Sequence, residues 1–151
     1  MVSPDSEPPV PPVPLWLGAG GLVPFIVLTG AVWLVPPEFR PVAFDWLRTY
    51  AACILSFVGA LHWGFALAHP EPQPADRDLL MGWSVVPALV AWISLLVHLR
   101  PGLFLAGAMF LIQYTMDRAL ARRFRLPGWY LRLRGGLTLV VVACLALAAL
   151  R

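Results

Sequence analysis

Two ionisable side chains interrupt apolar stretches of this sequence, and their types are those that could do chemistry. His62 lies in the apolar run 50–64, and Asp117 lies in a second apolar run, with Gln113 one helical turn before it. An imidazole and a carboxylate that meet away from water can share a proton, act as acid and base, or hold a ligand. Both need partners, since a buried carboxylate requires a donor or a cation. The chemistry open to His62 and Asp117 therefore depends on whether the helices that carry them bring the two side chains together.

The composition is that of an integral membrane protein. Of the 151 residues, 60% are hydrophobic and 13% are charged, and the mean hydropathy is +0.76, all far from the values of soluble domains. Every basic residue is arginine, which excludes Schiff-base chemistry on lysine. The net charge of +3 comes from arginines beside the apolar segments, so anionic lipid headgroups are a better expected partner than nucleic acid. The composition therefore predicts an all-α integral membrane protein.

The apolar segments predict five transmembrane helices in a compact bundle, because each is long enough or nearly long enough to cross a bilayer. The predicted spans are 15–35, 46–68, 79–99, 101–120 and 136–150. Residues 1–14 are rich in proline and carry two acidic residues, which predicts a disordered arm. Only Arg100 separates the third span from the fourth, and Pro101 opens the fourth span, which predicts a tight antiparallel hairpin.

The arginines predict the orientation in the membrane. Five crossings place the amino terminus and the arginine-rich loop after the fourth span on one side, which carries seven arginines against four on the other. The positive-inside rule then puts the amino terminus in the cytoplasm, and we expect a multi-pass protein of the bacterial inner (cytoplasmic) membrane. The arginines predicted to contact anionic headgroups are Arg118, Arg122, Arg123, Arg125, Arg132 and Arg134.

The same topology brings polar residues of several helices to one level of the bilayer. The second and fourth spans run in the same direction, and the helical rise places His62 and Asp117 within roughly 10 Å of the same boundary. The third and fifth spans run in reverse, which brings Trp83 and the segment 129–134 to that level. The predicted ligand-binding residues are Ser56, His62, Trp63, Trp83, Ser84, Gln113, Asp117, Trp129, Tyr130 and Arg132, with Arg134 as the alternative to Arg132.

The residue pattern disfavours metal, haem and enzymatic sites. His62 and His98 are predicted at opposite sides of the bilayer, so they cannot ligate one haem, and Cys53 and Cys144 are isolated in apolar segments. We predict no metal site, and the sequence identifies no cofactor. An enzyme would have to rest on His62 and Asp117 alone, so a non-enzymatic protein is the favoured interpretation. Two roles stay open for the polar residues: holding the helices together, or lining a ligand pocket.

Short motifs along the chain resemble a known family. They are Leu-Ser-Phe at 55–57, His-Trp-Gly at 62–64, Gln-Tyr at 113–114 and Trp-Tyr at 129–130. In these motifs the sequence resembles the transmembrane protein 69-like family known as domain of unknown function 3429, over residues 15–150. The resemblance implies a membrane fold and leaves the function open, because no activity or catalytic residue is assigned to that family.

These observations lead to two functional hypotheses. The first is a non-enzymatic membrane module that binds an amphipathic ligand, such as a lipid, quinone or tetrapyrrole, or docks a membrane protein complex, through the His, Asp and Trp cluster. The second is a small proton-coupled transporter in which His62 and Asp117 relay the proton.

Overall fold

A computed structural model describes residues 9–68, 73–124 and 126–151, and in these ranges the chain is helical with short connections. The described residues contain five α-helices, one short 3-10 turn and no strand. The helices are α1 Pro12–Leu34, α2 Arg40–Ala68, α3 Pro74–Leu96, α4 Leu99–Arg123 and α5 Gly128–Ala149, and the 3-10 turn is Pro37–Phe39. The all-α class predicted from the sequence is confirmed.

All five helices begin before the predicted spans, by two to eight residues. Helix α1 begins at Pro12, inside the predicted arm 1–14, because proline suits the first turn of a helix; residues 1–8 of that arm lie outside the described residues. Helix α5 begins at Gly128, eight residues before the predicted span, so the segment predicted as a headgroup-level loop is helical. The predicted fifth span begins after Arg132 and Arg134, whereas helix α5 includes both arginines.

Apolar side chains cover the outside of the bundle. Large hydrophobic residues are exposed on all five helices, for example Leu17, Trp46, Leu89, Leu111 and Leu139. Soluble proteins rarely expose apolar surface on this scale. Helices α1, α2, α3 and α5 are long and apolar enough to cross a membrane. The fold is therefore that of a multi-pass membrane protein whose surface suits hydrocarbon.

The helix packing leaves a space between α2 and α5. Helix α1 packs on both α2 and α5, and α4 also packs on both of them, while α3 lies against α2 and α4. Phe25 of α1 stands at the centre, with its ring edge-to-face with Tyr50 of α2 at 5.0 Å and with Phe110 of α4 at 6.3 Å. Such aromatic pairs add stability beyond the area they bury, and they hold α1 and α4 on the two sides of that space.

Arg48 of α2 caps the end of α3. Its Nη2 donates hydrogen bonds to the carbonyl oxygens of Ser94 at 2.8 Å, Leu95 at 2.8 Å and Val97 at 3.0 Å. The last carbonyls of a helix have no intrahelical partner, and a cation complements the dipole there. A Cβ on Gly102 of α4 would collide with the Ser94 carbonyl oxygen, so α4 turns back closely against α3. The predicted tight hairpin is confirmed, since only two residues separate these helices.

Gly59 sets how closely α2 approaches α3. A Cβ at this position would lie 2.9 Å from the Pro87 side chain and 2.9 Å from the Ser84 carbonyl oxygen. Small residues allow membrane helices to pack backbone against backbone, where dispersion forces stabilise the pair. We expect Gly59→Ala to lower the free energy of unfolding by about 1–3 kcal/mol, because the two helices must separate. Unfolding of the purified protein by titration with a denaturing detergent measures this change.

Gly64 provides a matched control on the same helix. A Cβ there would meet no atom of the described residues within 4 Å. We expect Gly64→Ala to be neutral or to stabilise α2 by about 0.5–1 kcal/mol through its higher helix propensity. Equal effects of the two substitutions would show that Gly59 has no special role at the α2–α3 interface.

Candidate functional site

A buried polar network joins α2, α3, α4 and α5. Trp83 Nε1 donates to Gln113 Oε1 at 2.9 Å, and Gln113 Nε2 lies 3.1 Å from His62 Nδ1 and 3.4 Å from Asp117 Oδ1. His62 Nε2 lies 3.3 Å from Asp117 Oδ1, and Arg134 Nε donates to Asp117 Oδ2 at 2.8 Å. These five residues form what we call the polar network. The predicted proximity of His62 and Asp117 is confirmed.

Four of the five residues of the polar network are buried, and Trp83 is partly buried. His62 and Gln113 are 0% exposed, Asp117 is 1% exposed and Arg134 is 7% exposed. Burying a single charge would be strongly unfavourable, but the Asp117 carboxylate and the Arg134 guanidinium compensate each other through a charge-assisted hydrogen bond. The network therefore contains a negative and a positive group whose charges cancel.

The hydrogen bonds assign the position of the His62 proton. An indole N–H can only donate, so the amide oxygen of Gln113 faces Trp83 and the amide NH₂ faces His62. An amide NH₂ can only donate, so Nδ1 of His62 accepts, and the ring proton lies on Nε2, on the side of Asp117. His62 is therefore neutral in this arrangement. Gln113 acts as the central residue that orients three others.

A largely apolar cavity of about 330 Å³ lies beside the polar network, in the space between α2 and α5. This volume is at the lower end of the range of roughly 300–1,000 Å³ that is usual for ligand pockets. Helices α1, α2, α4 and α5 all contribute to its wall, with residues that include Phe25, Ile54, Phe110 and Leu137. The wall also contains Phe57, which is 62% exposed, so the cavity reaches the apolar outer surface of the bundle.

Three polar side chains of α5 line this cavity and have atoms without a partner. The Tyr130 hydroxyl, Arg134 Nη2 and Thr138 Oγ1 are buried and form no hydrogen bond with the described residues. All three residues belong to the cavity wall, and each is one helical turn from the next, so they share a face of α5. A buried polar atom that lacks a partner is unfavourable and often marks the position of a ligand group or a water. The polar end of the cavity is therefore equipped to bind one more hydrogen-bonding group.

The structure brings together most of the residues predicted for the site. His62, Trp83, Gln113 and Asp117 all belong to the polar network. The aromatic residues Trp129 and Tyr130 lie in the cavity wall, and the Tyr130 ring also contacts Phe65 of α2 edge-to-face at 5.7 Å. The network and the cavity are therefore adjacent parts of one site, with Arg134 common to both.

Four predicted site residues lie elsewhere, namely Ser56, Trp63, Ser84 and Arg132. Trp63 is 47% exposed and faces out of the bundle. Ser56 and Ser84 donate to carbonyl oxygens of their own helices, at 2.8 Å and 2.6 Å. Neither serine lines the cavity between α2 and α5. Serine often forms such bonds to its own helix, which satisfies the hydroxyl without a ligand.

The arginine of the site is Arg134, whereas Arg132 is exposed. Arg134 is also one of the arginines predicted to contact headgroups, and its burial and its bond to Asp117 contradict that placement. Of the others, Arg123 forms an ion pair with Asp76 at the start of α3, and Arg125 lies outside the described residues. A headgroup contact would require Arg134 to leave the only charged partner that the described residues offer it.

Thr138 is a polar cavity residue that the sequence reasoning missed, as it also missed the apolar residues of the wall. A single threonine in an apolar helix carries little signal by itself. Its position one turn after Arg134 was the available clue, because residues four apart lie on the same face of a helix.

Relatives of this chain are known by sequence. The family described as "Protein of unknown function (DUF3429)" matches residues 10–150. Transmembrane protein 69 of Xenopus tropicalis is 37% identical over 133 residues, which cover 85% of this chain and 50% of that protein. Transmembrane protein 69 of Mus musculus is 28% identical over 137 residues, which cover 90% and 53%. The chain thus spans about half the length of the curated relatives it matches. No solved structure matches.

Proposed function

Because this chain belongs to the DUF3429 family of proteins of unknown function, we propose a function from the site itself: it binds an amphipathic molecule of the bilayer in the cavity between α2 and α5. One observation carries this proposal. Arg134 Nη2 is buried without a partner among the described residues, at the wall of a cavity that is otherwise almost wholly apolar. Small-molecule sites have this composition, an apolar wall with a few placed polar groups.

The proposed binding mode follows from the shape of the site. The apolar part of the ligand occupies the space walled by Phe25, Ile54 and Phe110, and its polar group meets Arg134 and Thr138. The exposed Phe57 at the wall gives the molecule a lateral entry from the hydrocarbon. Such an entry suits a lipid-like or quinone-like molecule, because that molecule never has to leave the apolar phase.

The proposal includes five membrane crossings, with α4 as the fifth. Helix α4 has 25 residues and is about 37 Å long, which exceeds the roughly 30 Å of a hydrocarbon core. Its polar residues Gln113 and Asp117 are buried in the bundle, whereas Phe104, Leu111 and Ile112 are exposed. A helix with this distribution presents an apolar surface to lipid although its overall hydropathy is low.

The orientation and the membrane are also part of the proposal. The excess of arginine on the amino-terminal side supports a cytoplasmic amino terminus, and the proposal places the protein in a bacterial inner membrane. The exposed Arg118 and Arg132 are suited to contact anionic headgroups, at about 1 kcal/mol for each basic residue.

A cavity-filling substitution tests the proposed function. Leu137 lines the cavity on α5, and a larger side chain there takes up the empty volume without removing a polar group. We expect a small amphipathic molecule to remain with the wild-type protein after purification in mild detergent, and its amount to fall at least tenfold in Leu137→Trp. Mass spectrometry of the purified protein measures the bound molecule, and Val58→Phe fills the same cavity from α2 if Leu137→Trp does not fold.

Leu139 provides the matched control. It lies two residues further along α5 and is 71% exposed, so Leu139→Trp adds the same side chain to the outer surface. We expect it to retain the bound molecule at the wild-type level. If wild type, Leu137→Trp and Leu139→Trp carry the same molecules in equal amounts, the cavity does not bind a ligand and the proposal is wrong.

Transport coupled to protons is the second candidate, and the contact between His62 and Asp117 favours it. Ionisable groups inside a membrane often mark proton pathways. Solute uptake into proteoliposomes that requires a proton gradient and is lost in His62→Ala would support this function. The absence of gradient-dependent uptake for all solutes tried would leave ligand binding as the better account.

A further inference from the structure

The charges of the polar network restrict what the cavity can hold. Asp117 and Arg134 bring one negative and one positive charge to the site, at a hydrogen-bonding distance of 2.8 Å. The pair is therefore neutral as a whole, although the Nη2 amino group of the guanidinium has no acceptor among the described residues. An ionised ligand group beside Arg134 would add a net charge inside the hydrocarbon region. Such a charge is strongly unfavourable unless another group compensates it.

A proton on Asp117 or on His62 could compensate an anion, and the hydrogen bonds oppose both. Arg134 and Gln113 both donate to the Asp117 carboxylate, and the partners of the His62 ring leave no acceptor for a second proton. Nδ1 accepts from Gln113, whose amide is held in place by the Trp83 indole. A proton on Nδ1 would face the Gln113 NH₂ group donor to donor. The amide cannot turn over to accept it without presenting its NH₂ group to the Trp83 N–H. The network thus stabilises a neutral imidazole and a site with no net charge.

We propose that the ligand of this cavity is an uncharged amphipathic molecule whose carbonyl oxygen accepts hydrogen bonds from Arg134 Nη2 and from the Thr138 hydroxyl. The inference rests on the proposed function and specifies the chemistry of the ligand. A carbonyl oxygen has two lone pairs and can accept from both donors. It gives an acceptor to Arg134 Nη2 and to Thr138 Oγ1, two of the three unpartnered atoms of the cavity wall, and it adds no charge to the compensated Asp117–Arg134 pair.

Two kinds of bilayer molecule offer this chemistry. One is a quinone with an alkyl or isoprenoid tail, and the other is an acyl ester such as a monoacylglycerol. Both combine a neutral carbonyl with an apolar chain that fits the wall formed by Phe25, Ile54 and Phe110. Fatty acids in their ionised form are excluded by the charge argument, and plain hydrocarbons leave the two donors without an acceptor.

Four probes with similar chains separate these possibilities. They are a decyl-substituted benzoquinone, monodecanoylglycerol, ionised decanoate at pH 8, and decylbenzene. Each is titrated into the full chain in mild detergent and followed by calorimetry. We expect one or both of the two carbonyl probes to bind at least tenfold more tightly than decanoate and decylbenzene. The ranking of the quinone against the ester identifies the natural class.

Thr138→Val tests the hydrogen bond itself, because it removes the hydroxyl and keeps the shape of the side chain. We expect it to weaken binding of the preferred carbonyl probe about fivefold, the typical effect of one neutral hydrogen bond, and to leave decylbenzene unchanged. Thr115→Val is the control, since Thr115 is exposed on α4 and donates to its own helix. We expect no change in binding for this variant.

The outcomes distinguish this inference from the proposed function. If decanoate binds most tightly, or if all four probes bind equally, the carbonyl inference is overturned while ligand binding in the cavity stands. If Thr138→Val has no effect on the preferred carbonyl probe, the assignment of the second donor is wrong. If no probe binds and the wild-type protein retains no small molecule, the proposed function itself fails.

Discussion

Replacing Asp117 with asparagine should lower the free energy of unfolding by about 3–5 kcal/mol, the effect expected when one member of a buried ion pair is removed. The protein is destabilised because Arg134 loses its carboxylate partner. Arg134 is 7% exposed and has Asp117 as its bonded carboxylate, so Asp117→Asn leaves its guanidinium charge uncompensated inside the bundle. Asparagine is close to aspartate in shape, so packing changes contribute little. Unfolding by a denaturing detergent, followed by loss of helical circular dichroism, measures the change.

An exposed aspartate provides the control for this prediction. Asp78 lies 3.7 Å from Arg77, and its side chain is 74% exposed. Surface ion pairs contribute roughly 0–1 kcal/mol, so Asp78→Asn should change the free energy of unfolding little. The double variant Asp117→Asn with Arg134→Gln removes both charges and should recover part of the loss. If Asp117→Asn is no more destabilising than Asp78→Asn, the buried pair does not hold α4 and α5 together.

Replacing Gln113 with leucine should have the second largest effect, a loss of about 2–5 kcal/mol. Gln113 is 0% exposed and bonds to both Trp83 and His62. The substitution leaves His62 Nδ1 buried and the Trp83 N–H partly buried without partners. A fully buried group without a partner costs about 1–3 kcal/mol, and a partly buried one costs less. Leucine is similar to glutamine in size, so the decrease in the free energy of unfolding measures mainly the lost hydrogen bonds. Unfolding by denaturing detergent measures the loss, and the fluorescence of the tryptophans reports the altered surroundings of Trp83.

Thr115 gives the comparison on the same helix. It lies two residues after Gln113, is exposed, and bonds only to the Ile112 carbonyl oxygen. Thr115→Ala should stay within about 0.5 kcal/mol of wild type, as is usual for surface substitutions. A Gln113→Leu protein as stable as wild type would mean that Trp83 and His62 find other partners, and the assignment of a neutral His62 would then lose its basis.

The two stability predictions bear on the function because the polar network also prepares the cavity. The Asp117–Arg134 bond holds the guanidinium at the cavity wall, where its Nη2 amino group has no partner among the described residues. Gln113 keeps His62 neutral and so keeps the site uncharged. The structural role and the ligand-binding role, which the sequence leaves as alternatives, are therefore compatible in the same residues.

The sequence by itself determined the class of the protein and the level at which its polar residues meet. The mean hydropathy of +0.76 leaves little choice but helices that bury their backbone hydrogen bonds in a bilayer. Successive helices must alternate in direction, so His62 and Asp117 come to a common depth whatever the details of the packing. The proximity of the two residues could be predicted for this reason.

Only the tertiary structure decided the rotation of each helix and the space between helices. Arg132 and Arg134 are two residues apart, which places them on nearly opposite faces of α5, and the apolar residues of that helix mark no preferred face. Packing of α5 against α1 and α4 turned Arg134 and Thr138 inward and left Arg132 exposed. The cavity arises in the same way, because α1 and α4 each contact α2 and α5 and keep them apart. Such long-range contacts depend on how α1, α2, α4 and α5 pack together at the same time. A local pattern of residues in one helix does not predict that packing.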